Sequence, residues 1–259
     1  MEYLEKLEFN KIVERLSSYC SLDTSKNMAL NLIPYTDMNE VKKHLKQTSE
    51  AVYLLQRCGM PPDIYFREEE HSIKTLEGYG VLTLEWILNF TEILKICQNL
   101  KEYFNKEYID KEEYEILEPI FSSLYTNKGI IEQVQKSIID ENTLYDNASK
   151  NLAIIRKKQK NIEQEIKQKL TNMIHSSSYS KYVQESLITI RNERYVIPIK
   201  EEYRSKIKGF VHDFSSSGST VFIEPITIFE LNNELSDLKI EENLEIEKII
   251  KELSKLFYP

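Results

Sequence analysis

His212 and Asp213 stand just before Ser215, Ser216, Ser217 and Ser219, residue types that suit nucleophilic hydrolysis. A triad needs a serine hydroxyl within hydrogen-bond reach of a base that a carboxylate orients. On an extended strand, adjacent side chains project to opposite faces, so His212 and Asp213 cannot easily serve each other. A structural hydrogen-bonding role is expected for them instead. The run Ser215 to Thr220 is rich in hydroxyls and contains Gly218, yet no Lys follows it. No GxxxxGK[ST] occurs anywhere in the chain, so the backbone cradle and lysine that hold nucleotide phosphates are missing. The run reads as a tight turn. His44, His71 and His175 show no metal-ligand spacing, and Glu68-Glu69-Glu70 reads as a solvated acidic face. Cys20, Cys58 and Cys97 are odd in number and form no CxxC pair, which predicts reduced thiols. Catalytic residues, metal ligands and a cofactor site are therefore not expected within this chain.

Binding chemistry is better supplied. The formal net charge is −8, which argues against nucleic acid if the charge is evenly spread. It is not. Lys150 to Lys208 holds 14 basic against 6 acidic residues, while the remainder holds 20 against 36. A basic stretch on an acidic body is the pattern expected where one part of a protein meets phosphates. Arg191, Arg194, Lys200, Arg204, Lys206 and Lys208 are the candidate nucleic-acid contacts. Phosphate contacts of this kind set affinity and position without reading sequence. Arg194 has competing partners in Glu193 and Glu202. Tyr195 and Tyr203 are candidates for stacking on an exposed base, with packing inside the fold as the competing role. Arg156, Lys157, Lys158 and Lys160 form a second basic face, equally readable as a solvated helix surface.

The elements that position these residues follow from periodicity. Leu4, Leu7, Ile12, Val13 and Leu16 fall near helical spacing. Asp23 or Thr24 is the expected cap of a helix that stops before Pro34, and Asp37 caps one carrying Val41, Leu45, Ala51, Val52 and Leu55. Gly59 and Pro61-Pro62 end that pattern. Gly78 and Gly80 mark a turn before an apolar helix from Leu82 past Leu94, and Pro119 opens or kinks another. From about Ala148 to Ile174 there is neither Gly nor Pro. Leu152, Ile155, Ile162, Ile166, Leu170 and Met173 form a stripe there, interrupted by Gln159. Leu235, Leu238, Ile246, Ile249, Leu253 and Leu256 form a second stripe from Leu231 onward. Between the two, the period changes from helical to alternating. Leu187–Ile190, Tyr195–Ile199, Gly209–His212 and Thr220–Ile223 read as short strands, with turns at Asn192-Glu193 and Ser215–Gly218. The predicted fold is mainly α: a helical core from which an antiparallel two-helix lever projects, carrying a small β clamp.

Only six glycines and seven prolines punctuate the 259 residues, in keeping with long helices. The start lacks a basic region followed by an apolar stretch, and no apolar run approaches the roughly 20 residues that span a bilayer. A cytoplasmic protein without membrane contact is the expectation.

Ile188-Thr189-Ile190-Arg191-Asn192, Arg194-Tyr195-Val196-Ile197-Pro198 and Val211-His212-Asp213 resemble the signature of the bacterial MutS type-two family. Ser215 to Thr220, Phe222-Ile223-Glu224-Pro225 and Glu230-Leu231-Asn232-Asn233-Glu234-Leu235 continue it in order and spacing. Leu7-Glu8-Phe9, Leu32-Ile33-Pro34, Thr48-Ser49-Glu50-Ala51 and Asp146-Asn147-Ala148-Ser149 with Ile155-Arg156 extend the likeness to essentially the whole chain. Ser25, near where members often carry Gly, and Phe214, where a polar residue is usual, depart from it. The resemblance implies a core at 1–147, an ascending lever helix at 148–178, a clamp at 179–230 and a descending helix at 231–259, cut before an ATPase domain. It also implies that ATP and magnesium belong to that missing domain, that the full-length protein is a homodimeric ATPase, and that a C-terminal Smr nuclease-like domain often follows. The implied roles are restraint of recombination through branched DNA and rescue of collided ribosomes through ribosome or rRNA contact. The rival reading is a structural dimerisation and lever module whose partners bind elsewhere.

Overall fold

The computed structural model describes residues 6–68 and 70–258. Leu4 of the first apolar stripe and Glu69 of the acidic run lie outside the described residues. The fold is mainly helical and divides into two compact units, Met1–Thr143 with Ile250–Pro259, and Leu144–Ile249. Among the described residues, no helix is long and apolar enough to cross a membrane.

The first unit is built from α1 (Phe9–Ser17), α2 (Asp23–Leu30), α3 (Met38–Cys58), α4 (Glu70–Glu77), α5 (Leu84–Phe104), α6 (Leu117–Ser123) and α7 (Lys128–Ser137). Side-chain caps fix several starts. Asp37 Oδ1 accepts the N–H groups of Asn39 and Glu40 at 2.9 and 3.1 Å, satisfying two donors that the first turn of α3 leaves open. Asp23 is instead the first helical residue of α2; the cap position falls on Leu22, whose side chain cannot accept. Gly59 ends α3 at φ 76°, a left-handed conformation that costs a glycine little. Pro119 sits in the first turn of α6, where its missing N–H breaks no helical bond. The core of this unit gathers Leu54, Tyr103, Phe104, Tyr114 and Leu117, with Phe121 stacked 4.4 Å from Phe104. Glu50, buried on α3, supplies the cap that α6 lacks from its own sequence. Its Oε2 accepts the N–H groups of Ile116 and Leu117, both at 3.0 Å.

A short hairpin, β1 (Ile138–Asp140) with β2 (Thr143–Leu144), marks the change from one unit to the next along the chain. In the second unit α8 (Lys150–His175) spans 26 residues and starts on Ser149, whose Oγ accepts the N–H of Leu152 at 3.0 Å. Then come β3 (Thr189–Arg191), β4 (Arg194–Lys200), β5 (Gly209–Phe214), β6 (Thr220–Pro225) and α9 (Phe229–Lys255). The last residues of α9 are grouped with the first unit. Ile162, Ile166, Leu170 and Ile174 of α8, four residues apart and so on one helical face, pack with Leu235 and Leu238 of α9 and with Ile197, Ile199, Val221 and Ile223 of the sheet. Polar side chains tie the two helices in reverse order. Ser149 donates to Glu245 at 2.7 Å, Arg156 to Glu242 at 2.7 Å, and Gln159 to the carbonyl of Leu238 at 3.1 Å. Gln159 also donates to Glu242 at 2.8 Å, so the polar break in the stripe is a satisfied cross-link.

The four strands are antiparallel in the order β3-β4-β6-β5. Asn192 and Glu193 both take positive φ, 49° and 62°, the twist that suits a two-residue hairpin. A register shift between Val211 and Asp213 makes His212 the extra residue of a bulge in β5. Glu201–Lys206, which carried no element in the sequence reading, is a 3-10 turn linking β4 to β5. Gly209 has no room for a side chain, because a Cβ there would run into the carbonyl of Glu224 and the methyl of Ile223. Gly209→Ala is therefore expected to destabilise this unit by about 1–3 kcal/mol, the usual range for overpacking. A denaturant midpoint unchanged from wild type contradicts this.

Candidate nucleic-acid interface

The candidate cations are held by the small sheet and its link. Lys200 closes β4 opposite Thr220, the first residue of β6, while Gly209 opens β5 opposite Pro225, its last. The link between them must therefore travel the length of β6, about 17 Å at some 3.3 Å per residue. It carries Arg204, Lys206 and Lys208 along that path. These three are exposed and Lys200 is half-buried. Among the described residues none of the four has an ion-pair partner. Arg204 lies over the ring of Phe214 at 5.6 Å. Backbone bonds fix the ends of the row: the N–H of Lys200 donates to the carbonyl of Tyr182 at 2.9 Å, and the carbonyl of Lys208 accepts from Ile226 at 3.0 Å. Glu201 and Glu202 are exposed on the same link and partly offset the positive field.

The other two sheet arginines are differently placed. Arg191 is partly exposed, with its Nε 3.1 Å from Asp213 and its guanidinium 4.2 Å from the Phe222 ring centre. Arg194 turns inward to Glu224, whose side chain is 0% exposed. The Arg194 Nε donates to both oxygens of Glu224 at 3.0 and 2.9 Å, and its Nη2 donates to Oε1 at 2.8 Å and to Asn233 at 2.6 Å. Asn232 donates to Glu224 at 2.7 Å, and Nε2 of His212 lies 2.6 Å from its second oxygen. Asn232 also accepts from the N–H of Tyr195 and donates to its carbonyl, at 3.2 and 3.1 Å, tying the first turn of α9 to β4. The partners foreseen for Arg194, Glu193 and Glu202, are not the ones it takes. Glu224 was invisible as a partner because it lies 30 residues away and its burial cannot be read from a strand pattern.

His212 and Asp213 take separate partners, Glu224 and Arg191, and do not serve each other. The hydroxyls of the 215–219 turn bond one another, Ser215 to Ser217 at 3.3 Å and Ser217 to Ser219 at 2.8 Å. Ser215 Oγ also accepts the N–H of Thr220 at 3.1 Å, closing the turn on itself. Among the described residues, no three His, Cys, Asp or Glu side chains converge as a metal site would require.

Tyr195 is buried in the core beneath the sheet, where burial pushes its hydroxyl above the usual phenol range. Tyr203 packs on Tyr182 with centroids 5.0 Å apart. The exposed aromatic ring near the cations is instead Phe214, 47% exposed beside Arg204. Its only signal in the sequence was the departure from a usually polar position. On α8, Arg156 is occupied by Asp146 at 2.6 Å and Glu242 at 2.7 Å. Burial works against its charge, and those two carboxylates more than offset it, holding the guanidinium above its ordinary value. Lys157, Lys158 and Lys160 are exposed.

No protein-family profile matches the chain. It is similar to proteins named Endonuclease MutS2. That of Acetivibrio thermocellus is 41% identical over 251 residues, 97% of this chain and 32% of the relative. That of Clostridium perfringens is 38% identical over 255 residues, 98% and 32%. The Ruminiclostridium cellulolyticum protein is 36% identical over 249 residues, 96% and 31%. The chain thus spans about a third of the length of these relatives. Arg194, His212, Glu224, Asn232 and Asn233, which fall within the segments that resemble the family, are the same residues that lock the small sheet to α9. With nearly its whole length matched at 36 to 41% identity, the chain belongs to the MutS type-two family.

Proposed function

We propose that the second unit is a lever and clamp: α8 ascends over residues 148–178, the sheet at 179–230 grips a polyanion, and α9 descends from 231. Residues 1–147 serve as the core of this machine. The observation that carries the reading is the row Lys200, Arg204, Lys206 and Lys208, without a carboxylate partner among the described residues, on a link that spans about 17 Å, the rise of about five duplex base pairs. Nothing in the row is shaped to read bases, so the ligand is recognised through its phosphates. Branched DNA and ribosomal RNA both present such phosphates. In the full-length protein, which we propose to be a homodimeric ATPase, nucleotide turnover elsewhere would move the clamp through the two helices. Suppression of recombination and rescue of collided ribosomes are the two activities this serves.

The alternative, a purely structural lever and dimerisation module, draws on Glu201 and Glu202 within the row and on the internal pairing of Arg194. The test is competitive binding of a four-way DNA junction and purified stalled ribosome pairs at one fixed salt concentration, using wild type and Lys206→Glu/Lys208→Glu. Loss of binding by the variant, with an unchanged melting curve, is expected. The ligand that wins on wild type names the target. Equal binding by the two proteins overturns the clamp reading and leaves the structural module.

A further inference from the structure

β5 is an edge of the small sheet, and its last residue, Phe214, leaves a half-exposed ring beside the cation row. An exposed phenylalanine is by itself ordinary. This one stands on a fixed backbone. Phe214 pairs with Val221 of β6, and its N–H donates to Asp213 Oδ1 at 2.8 Å, a carboxylate that Arg191 also holds. Just after it the chain closes a turn. The N–H of Ser215 donates to the carbonyl of Thr220 at 2.9 Å, and that of Gly218 to the carbonyl of Ser215 at 2.8 Å. The N–H of Glu201 donates to the carbonyl of Ser219 at 3.0 Å, which ties this turn to the start of the β4–β5 link. The link then brings Arg204 over the ring, its guanidinium 5.6 Å from the ring centre. Two nearby rings are taken up by other rings, Tyr203 by Tyr182 at 5.0 Å and Phe210 by Phe229 at 4.8 Å. Phe214 has a cation over it and solvent beside it.

We infer that Phe214 stacks on an unpaired nucleobase while Arg204 holds a phosphate of the same stretch of strand. The ligand class that follows is nucleic acid with open bases, as in a single-stranded tail, a loop or a branch point, favoured over continuous duplex. A base inside a duplex has both faces covered by its neighbours, so a ring fixed on a protein surface reaches only a base that is already unstacked. Little freedom is lost when it does so, because the backbone is held beforehand and a phenylalanine has only two side-chain torsions to fix. Arginine suits the place beside it. Its planar guanidinium lies against a ring and still offers donors to a phosphate, so cation and ring act on one short piece of strand. Every base has a π face, so the stack adds affinity without reading sequence, as the phosphate contacts do. Unpaired DNA and RNA share this chemistry. The inference rests on the phosphate-binding row of the proposed function and adds a contact to the bases between those phosphates.

The test compares the affinity of the 259-residue chain for a blunt duplex and for a duplex with a single-stranded tail, matched in number of phosphates, at one fixed salt concentration. Each probe is made once in DNA and once in RNA. Wild type is expected to bind the tailed probe about tenfold more tightly than the blunt one, the effect of one stacked base. Phe214→Ser is expected to bring that ratio close to one and to leave the slope of log K against log salt at its wild-type value, since no cation is removed. Phe214→Trp keeps an open ring. It is expected to retain the preference, and its added indole emission, read against the Trp86 background of wild type, should be quenched by the tailed probe and not by the blunt one. The position is half exposed, and melting curves check that both variants are folded. The nucleic acid that shows the preference names the source of the open bases. Equal binding of tailed and blunt probes by wild type, a preference that survives Phe214→Ser, or an indole that the tail leaves unquenched overturns the stack and leaves the phosphate row standing. A preference lost in Phe214→Ser but untouched by Lys206→Glu/Lys208→Glu keeps the stack and overturns the row, and a wild type that binds neither probe overturns both.

Discussion

Arg194→Ala is expected to destabilise the second unit by about 3–5 kcal/mol, because it leaves the carboxylate of Glu224 buried without its counter-charge. Glu224 is 0% exposed, so water cannot replace the guanidinium. His212 and Asn232 would remain its donors, and neither carries the permanent charge of Arg194. For a unit of this size such a loss lowers the melting temperature by roughly 12 °C or more. The first amides to lose hydrogen-exchange protection should be those of β4, since Tyr195 is bonded through Asn232 to the same cluster. Arg194→Lys should recover only part of the loss, because an ammonium cannot reproduce the fork that meets both oxygens. Loss of nucleic-acid binding by Arg194 variants would then report an unlocked sheet. A variant that melts like wild type yet fails to bind would instead make Arg194 a contact residue and refute the structural role.

How far this could be read beforehand differs from residue to residue. Local signals were legible where one residue suffices: Asp37 caps α3, Gly59 ends it, and the positive-φ pair Asn192-Glu193 turns β3 into β4. The strands were visible from alternation. Asp23 misled because a good capping residue is also tolerated in the first turn, where the helix dipole favours its charge. What stayed hidden depends on pairs distant in sequence. Glu224 sits in a strand next to Pro225 and looks like a surface glutamate. Only the fold brings Arg194, His212, Asn232 and Asn233 around it. The same holds for Arg156, which a count of charges places on a basic face and which the structure gives to Asp146 and Glu242. Charge counting found the basic region but could not separate cations spent on internal carboxylates from those left to solvent. Phe214 was noticed only as an oddity, since exposure of an aromatic ring beside Arg204 is a property of the β5–β6 turn and not of its sequence.

That separation sets the second large effect. Lys200→Gln/Arg204→Gln/Lys206→Gln/Lys208→Gln removes the four unpaired cations without touching the core of the sheet. If each meets one phosphate, binding to duplex arms should lose about 3.6 from the slope of log K against log salt, at some 0.9 per phosphate. On single-stranded RNA the corresponding loss is about 2.8, at some 0.7 each. At low salt the affinity should fall by more than about a hundredfold, and the gap should narrow as salt rises, because the released counterions supply the lost free energy. Lys157→Gln/Lys160→Gln, on the exposed face of α8, is the comparison. If the clamp alone grips the ligand, this pair leaves the slope unchanged. A slope unaltered by the fourfold change, or lowered as much by the helix pair as by the clamp set, would move the interface off the link between β4 and β5. The expected ordering holds for DNA and RNA alike, since it depends on which cations are free and not on which polyanion they meet.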